Sequence, residues 1–355
     1  MMLVRHASLN DLDTIFELIQ QVQSGMTSLP NDIEVLRRRL QRIEDTLHNR
    51  IPREDHIYFF VLEDTETGKI AGISAIEVVI GSTEPFYNFK IATQVHSSKE
   101  LDVYRKFDVL ILTNDYTGHS ELCSLFLAPN YRVGNNGKLI SKARMLFMAA
   151  FPECFEPIVI AEMRGYFDEN GKSPFWEAFG SKFFEVDFAK ADYLTGTGDK
   201  AFVAQLMPRF PFYVDFLPEE ARQVMGKVHP DTEPALNMLK GEGLKYKNNV
   251  DIFDAGPNME AFVQDLRAVR DSQRMSFVAD DSVASDDAVP YLISNDRYHG
   301  YRAVVVNLDK TAIDIVHEQV KLPEQVIDAL QLQADEKARI LTLNPNKPTN
   351  QAMNK

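Results

Sequence analysis

The chain has 355 residues, 45% of them hydrophobic and 25% charged, with a net charge of −14 and two cysteines. It is long enough for two domains, or for one domain and an appendage, and its composition is that of a globular protein with a sizeable core. The acidic balance excludes broad nucleic-acid binding, the two cysteines exclude a disulfide framework and suit a reducing compartment, and no apolar run reaches the ~18 residues of a membrane span.

The N-terminal residues carry charge early and no apolar stretch, so they do not read as a signal peptide and a cytoplasmic location is expected. Residues 2–6 alternate weakly and predict a first strand. Ser8 or Asn10 then caps a helix over residues 11–23, with Leu12, Ile15, Phe16 and Ile19 on one face. Residues 25–30 form a turn. Asn31 or Asp32 caps a second helix over 33–48, whose apolar face is Val35, Leu36, Leu40, Ile43 and Leu47. Arg37, Arg38 and Arg39 fall on its other face and read as solvated. A hairpin follows, with strands over 57–63 and 69–80. Residues 81–95 show no clear period, and 100–112 are ambiguous, with a strand possible only at 109–112.

The organising stretch is residues 120–151. An apolar strand over 121–127 is broken at Ala128-Pro129-Asn130, a small-residue loop spans 132–137, and a helix over 138–151 repeats Leu139, Ile140, Ala143, Leu146, Phe147 and Ala150. A polar, glycine-bearing loop running into a helix N-terminus offers unpaired N–H groups and a positive dipole end to an anion. Arg132, Asn135, Asn136 and Gly137 are placed for that role, with pyrophosphate the usual occupant. The same segment also reads as an ordinary strand-to-helix turn.

Beyond it come a strand over 157–163, a short helix over 173–179 with Pro174 at its first position and Gly180 as C-cap, and strands over 183–186 and 201–207. A helix over 218–228, a turn at 228–232, a helix over 233–240 and a strand over 250–253 follow. Residues 272–290, rich in Ser, Asp and Ala, read as a linker. The tail carries strands over 301–307 and 338–343 around a helix over 323–330, then frayed residues 344–355. This alternation predicts an α+β layered fold.

The element order is similar to that of the GCN5-related N-acyltransferase fold, in which the fourth strand, a pyrophosphate loop and the third helix hold an acyl-CoA. More narrowly, the chain resembles the arginine N-succinyltransferase family. The resemblance is carried by GMTSLP (25–30), VLEDTETGKIAGISAIEV (61–78), ELCSLFLAPNYR (121–132), AEMRG (161–165), SPFW (173–176), VHPDTEPA (228–235) and VDIFDAGP (250–257). It implies a mixed sheet with flanking helices, with a duplicated unit as one alternative. Residues 1–190 would hold the acyl-CoA loop, 191–270 a partial second half with His229, and 291–345 a small β-rich appendage. One departure stands in the loop: Asn135 occupies the place of the first glycine of the wider Arg/Gln-x-x-Gly-x-Gly/Ala pattern, and Asn tolerates left-handed backbone angles better than most residues.

The resemblance further implies succinyl transfer from succinyl-CoA to the α-amine of L-arginine, with ornithine as a second acceptor. Alternatives are an acyltransferase with another donor or amine, and a structural or regulatory paralogous subunit. The family's CoA contact falls on the main chain of Leu125, with Leu127 beside it, and its acid/base histidine falls on His229, in the VHPDT turn before a helix. His229 is assigned as proton donor to the CoA thiolate, with His119 a second relay candidate. Glu121, Glu162 and Asp254 abut apolar strands and are candidates for the acceptor's guanidinium; Arg164 is one for the succinyl carboxylate. The turn at 25–30, with Ser28, lies where this fold receives its acceptor. Cys123 has no neighbouring base, so direct transfer in a ternary complex is expected. No metal, no tightly bound cofactor, no nucleic acid and no membrane partner are expected, and a homo-oligomer or a hetero-oligomer with a paralogous chain is.

Overall fold

The computed structural model describes residues 1–21, 31–196, 201–283 and 288–345. In chain order the N-terminal part runs β1 (Met2–His6), α1 (Leu12–Ile19), α2 (Ile33–Leu47), β2 (Ile57–Asp64), β3 (Lys69–Glu77), β4 (Asn88–Ser98), β5 (Val103–Thr113), β6 (Ser120–Leu127), α3 (Asn136–Ala150) and β7 (Ile158–Glu162). The middle part comprises α4 (Ser181–Phe184), α5 (Phe188–Gly196), α6 (Ala201–Leu206), β8 (Phe212–Tyr213), α7 (Glu219–Val224), α8 (Glu233–Glu242), β9 (Lys245–Val250), β10 (Pro257–Phe262) and α9 (Arg267–Asp271). The chain closes with β11 (Gln273–Ala279), β12 (Val289–Ser294), β13 (Arg302–Leu308), β14 (Ile313–Asp314), β15 (Gln319–Leu322), α10 (Glu324–Leu330) and β16 (Ala338–Thr342).

The strands join in one mixed sheet, ordered β14-β15-β11-β16-β12-β13-β1-β2-β3-β6-β7-β10-β9-β4-β5-β8. Pairing is antiparallel except at β6–β7 and β11–β15. The architecture is therefore α+β. Alternation along β2 and β3 sends Tyr58, Phe60, Leu62 and Ile76 toward α3, and Phe59, Val61, Ile73 and Ala75 toward α1 and α2. α3 is nearly all buried because it is covered by the sheet on one side and by α9 and the C-terminal strands on the other. On the other face, Asp32 caps α2 by accepting from the N–H groups of Glu34 and Val35.

Several elements differ from the sequence reading. Residues 88–98 and 103–113 form a long hairpin, which its mixed polar and apolar residues concealed. β10 was not predicted at all. The strands expected at 183–186 and 201–207 are helical or turn, because their aromatic and aliphatic residues pack a separate cluster around Trp176 rather than a ladder. Gly180 is not a C-cap: its backbone is right-handed and the Trp176 ring lies where a Cβ would go, 2.4 Å away. The turn of helix continues to Phe184 and ends at Glu185, at φ 52°. The strand expected over 250–253 stops at Val250, where the Asp251 carboxylate accepts from the Phe253 and Asp254 amides and makes a turn. The expected linker holds β11 and the start of β12, and β13 pairs with β1, so the C-terminal strands extend the main sheet.

Candidate active site

β6 is the pivot. Its edge toward β3 is laddered from Glu121 to Leu127 apart from one bulge, but its parallel pairing with β7 covers only Ser120 and Glu121. Beyond that point the two strands part. A bulge interrupts β6 at the same place: Ser124 has φ 54°, and the register with β3 shifts by one residue between Cys123 and Phe126. Gly72 permits the close approach of β3 there, since a Cβ would lie 2.8 Å from the Phe126 carbonyl. Arg144 of α3, 2% exposed, reaches through the core to the bulge and donates from Nη1 to the carbonyls of Ala75 and Cys123. Burial lowers its pKa to about 10.

The loop after β6 delivers α3. Arg132 Nε donates to the Leu127 carbonyl, and Asn136 Nδ2 to that of Tyr131, which fixes the turn from both sides. The left-handed residue is Gly134, at φ 55°; Asn135 has φ −103° and needs no special tolerance. The absent first glycine is thus replaced by one a residue earlier, where the lack of a Cβ makes positive φ cheap. No side chain caps α3 and no acidic residue occupies its first turn. Asn135 and Asn136 border a cavity of about 400 Å³ with Met1, Met2 and Val305. Gly137 faces only the Leu127 side chain, at 3.9 Å from its would-be Cβ.

A larger cavity, about 630 Å³, opens on the α2 side of the sheet where β6 and β7 part. Glu121 and Glu162 both line it, and the ladder explains why. Glu77 pairs with Glu121, and Glu121 with Ile160, two residues before Glu162, so all three carboxylates stand on one face. Glu77, Asp251 and Cys123 also line the wall. Burial, then the charges of Glu121 and Glu77, push the Cys123 thiol up to about 12.

His229 lies outside this cavity. Its N–H donates to the Arg164 carbonyl, beside an isolated bridge between Gly165 and Val228 that continues the line of β7. Nδ1 accepts from the Asp231 N–H, and Phe167 sits 6.4 Å from the ring. Partial burial and the Arg164 charge lower its pKa, with Asp231 opposing. The Arg164 guanidinium stacks 4.7 Å over Phe167, and its buried Nε has no hydrogen-bond partner among the described residues. Asp254 is buried and accepts from the N–H groups of Gly165 and Gly256, pinning the chain beside His229. Burial and the charge of Asp251 raise its pKa. His119 sits on the turn before β6, its ring against Tyr116. Ser28 lies outside the described residues.

Residues 2–268 match the family model described as the arginine N-succinyltransferase beta subunit, and residues 274–342 match the model of its C-terminal domain. The chain belongs to the arginine N-succinyltransferase family. It is 49% identical to an arginine N-succinyltransferase of Yersinia pseudotuberculosis, over 97% of this chain and 98% of that one. An Escherichia coli arginine N-succinyltransferase is 44% identical, over 98% and 100%. The solved arginine/ornithine succinyltransferase subunit AI from Pseudomonas aeruginosa superposes with a TM-score of 0.87 at 34% identity, covering 97% of this chain and 99% of that one.

Within this family frame, the structure brings Glu121 and Glu162 together at one cavity, Arg132 to Gly137 together at the α3 terminus, and His229, Arg164 and Asp254 together at a third place. Sequence reasoning missed Glu77, Asp251, Ser124, Arg144 and, above all, Arg39 and Arg42. Arg37 and Arg38 are exposed as expected, but Arg39 is 18% exposed at its side chain and turns toward β6. The available signal was its position flanking Leu36 and Leu40, at the border of the apolar stripe.

Among the described residues, no group of His, Cys, Asp and Glu is arranged to hold a metal ion, and no helix is long and apolar enough to cross a membrane.

Proposed function

We propose that this chain transfers the succinyl group of succinyl-CoA to the α-amine of L-arginine, giving N2-succinyl-L-arginine and CoA. The observation that carries the reading is the parting of β6 from β7 beside an acid-lined cavity, in a chain of this family. The unladdered edge of β6, with Leu125 and Leu127, is suited to pair with the amides of pantetheine. The uncapped start of α3, with Arg132, Asn135, Asn136 and Gly137, suits the pyrophosphate. The β6–loop–α3–β7 unit would then be the acyl-CoA core of a GCN5-related N-acyltransferase-like fold. A separate C-terminal unit, expected over 291–345, is proposed in line with the C-terminal domain model that matches residues 274–342.

The acceptor's guanidinium and ammonium are cations, and Glu121 and Glu162 supply carboxylates on the wall they would enter. Asp254 already accepts from two backbone amides and serves the fold beside His229. Arg164, with its unpartnered Nε, is assigned to a substrate carboxylate. A thiol pushed up to about 12 makes a poor nucleophile, so the amine attacks the thioester directly in a ternary complex. The lowered pKa of His229 favours the neutral ring at neutral pH. As His229 lies outside the acid-lined cavity, its acid/base role rests on the family resemblance; in that role the neutral ring would take a proton from the attacking amine and return it to the CoA thiolate. The sequence reading assigns it as proton donor to the CoA thiolate, with the role of base toward the α-ammonium as the lesser alternative; the reading proposed here uses both.

Ornithine is a second acceptor on this reading, in line with the name of the Pseudomonas subunit. Assembly with further copies or with a paralogous chain is proposed on the same ground, and a cytoplasmic setting on the two unbridged cysteines. The test is a product-identified assay with succinyl-CoA and arginine. Formation of N2-succinylarginine is expected; acetyl transfer alone, or no transfer, would overturn the reading.

A further inference from the structure

Acylation of an amine by a thioester displaces two protons. The acceptor's α-amine arrives as an ammonium with three. A C–N bond forms, the C–S bond breaks, and the amide nitrogen keeps one. One of the two displaced protons goes to the departing thiolate, and that is the proton given above to His229. The other, which the ammonium must shed before its lone pair can attack, needs an acceptor of its own.

Among the carboxylates on the cavity wall, Asp251 has the surroundings of a base. It lines the cavity, half-buried, at the point where β9 stops. Its Oδ1 accepts from the Phe253 and Asp254 amides at 2.7 Å each, and its own N–H donates to the Gly256 carbonyl, so the carboxylate is held at a fixed place. Off the cavity wall lies Asp254, 6% exposed, pinned by the amides of Gly165 and Gly256 and hydrogen-bonded through its carboxyl to that of Asp251. Two carboxyl groups in contact do not ionise independently, and the pair retains a proton more readily than either alone. Burial raises the pKa of both, and the charge of Asp251 adds to the rise at Asp254. The charged groups around the pair do not cancel this. Glu121 and Glu162 share the cavity wall, Arg39 and Arg42 both bridge to Glu77, and Arg164 acts on Asp254 rather than on Asp251.

We infer that Asp251 is the base that takes the first proton from the acceptor's α-ammonium, with Asp254 as the positioning residue behind it. The proton then passes to solvent through the cavity, while the second follows the His229 route to the thiolate, so both displaced protons are accounted for. This rests on the reading of the cavity as the acceptor's site given above.

Asp251→Asn keeps an oxygen for the Phe253 and Asp254 amides and removes the base. With saturating succinyl-CoA, kcat/KM for arginine would be measured from about pH 7 to about pH 10 and read as the ratio of unmodified protein to variant. Groups that titrate alike in both proteins, His229 included, cancel from that ratio. At neutral pH the ratio should be about 100. It should then shrink about tenfold per pH unit, because rising pH supplies the acceptor as free amine, which needs no base. A ratio that is large but constant with pH would show that Asp251 serves only the turn, and a ratio within about twofold of one throughout would remove it from the reaction; either overturns the inference. Should Asp251→Asn not fold, Asp251→Ser keeps a hydroxyl oxygen for the turn, and the same ratio is read from it. Failure of the proposed function itself would be separate: the unmodified protein would form no N2-succinylarginine at any pH.

Discussion

Glu77 and Glu121 stand directly opposite each other in the β3–β6 ladder, on the face that carries α2. Like charges in that relationship destabilise a sheet, typically by a few tenths of a kcal/mol to about 1 kcal/mol. Arg39 and Arg42 offset the charge of Glu77. The arrangement keeps a second carboxylate on the cavity wall at a cost to the fold, as expected where a cation is to be received.

Glu121→Gln tests acceptor recognition. The KM for arginine should rise about tenfold or more, with succinyl-CoA affinity unchanged. An unaltered KM would take Glu121 out of acceptor recognition.

The loop before α3 offers a pair of glycines with opposite constraints. Gly137 has open space around its missing Cβ, so Gly137→Leu should fold normally yet weaken succinyl-CoA binding by obstructing the first turn of α3. Gly134 has positive φ, and Gly134→Ala should cost about 1 kcal/mol of stability. Calorimetric titration with CoA and denaturant unfolding distinguish the two; a Gly137→Leu variant with the affinity of the unmodified protein would remove the pyrophosphate from this loop.

Arg144→Met tests what holds the bulge. The substitution leaves the Ala75 and Cys123 carbonyls buried without their donor, which should cost about 2–4 kcal/mol. Because the bulge shapes the free edge of β6, CoA affinity should fall as well. A stable variant with unchanged CoA binding would show that the bulge is maintained by the ladder alone.

The pivot was legible because its signals are local. A short apolar run, a proline break and a glycine loop before a periodic helix locate β6 and α3 without any tertiary information. The β4–β5 hairpin was not, because its outer strand residues are exposed on both sides and carry no alternation. Residues 201–207 read as a strand because β-branched and aromatic side chains fit either element, and the packing around Trp176 decides for helix. Glu121 and Glu162 were found as acids on apolar strands, but their meeting depends on the β6–β7 register. Arg39 was misread for a related reason: three consecutive arginines look solvated, and only the position of β3 and β6 under α2 shows that the third turns inward.

The pH dependence of turnover should report His229. Its pKa is lowered, and the neutral ring is the form that accepts the amine proton. Activity should therefore be full at neutral pH and fall as pH drops through a value below the ordinary 6.5 of histidine. His229→Ala should reduce kcat by about 100-fold or more, abolish that acidic limb and leave CoA binding intact. A variant with the same limb would assign it to another group.

A second histidine should govern acid stability rather than catalysis. His6 stacks on Phe60 at 4.9 Å, meets Phe147 edge-on, and donates from Nε2 to the Tyr298 carbonyl, while its Nδ1 is buried with no hydrogen-bond partner among the described residues. Burial lowers its pKa to about 4. Between that value and the unfolded 6.5, the unfolded chain binds a proton that the folded chain does not, so stability rises with pH across this window and is lost as pH falls through it. Between pH 7 and pH 5 the loss from this group alone is about 2 kcal/mol. His6→Phe keeps the ring packing and removes the titration. Its stability at pH 7 should drop by about 1 kcal/mol for the lost hydrogen bond, but the further drop toward pH 5, measured by urea unfolding, should shrink by about 2 kcal/mol. An equal acid-induced loss in both proteins would place the sensitivity elsewhere.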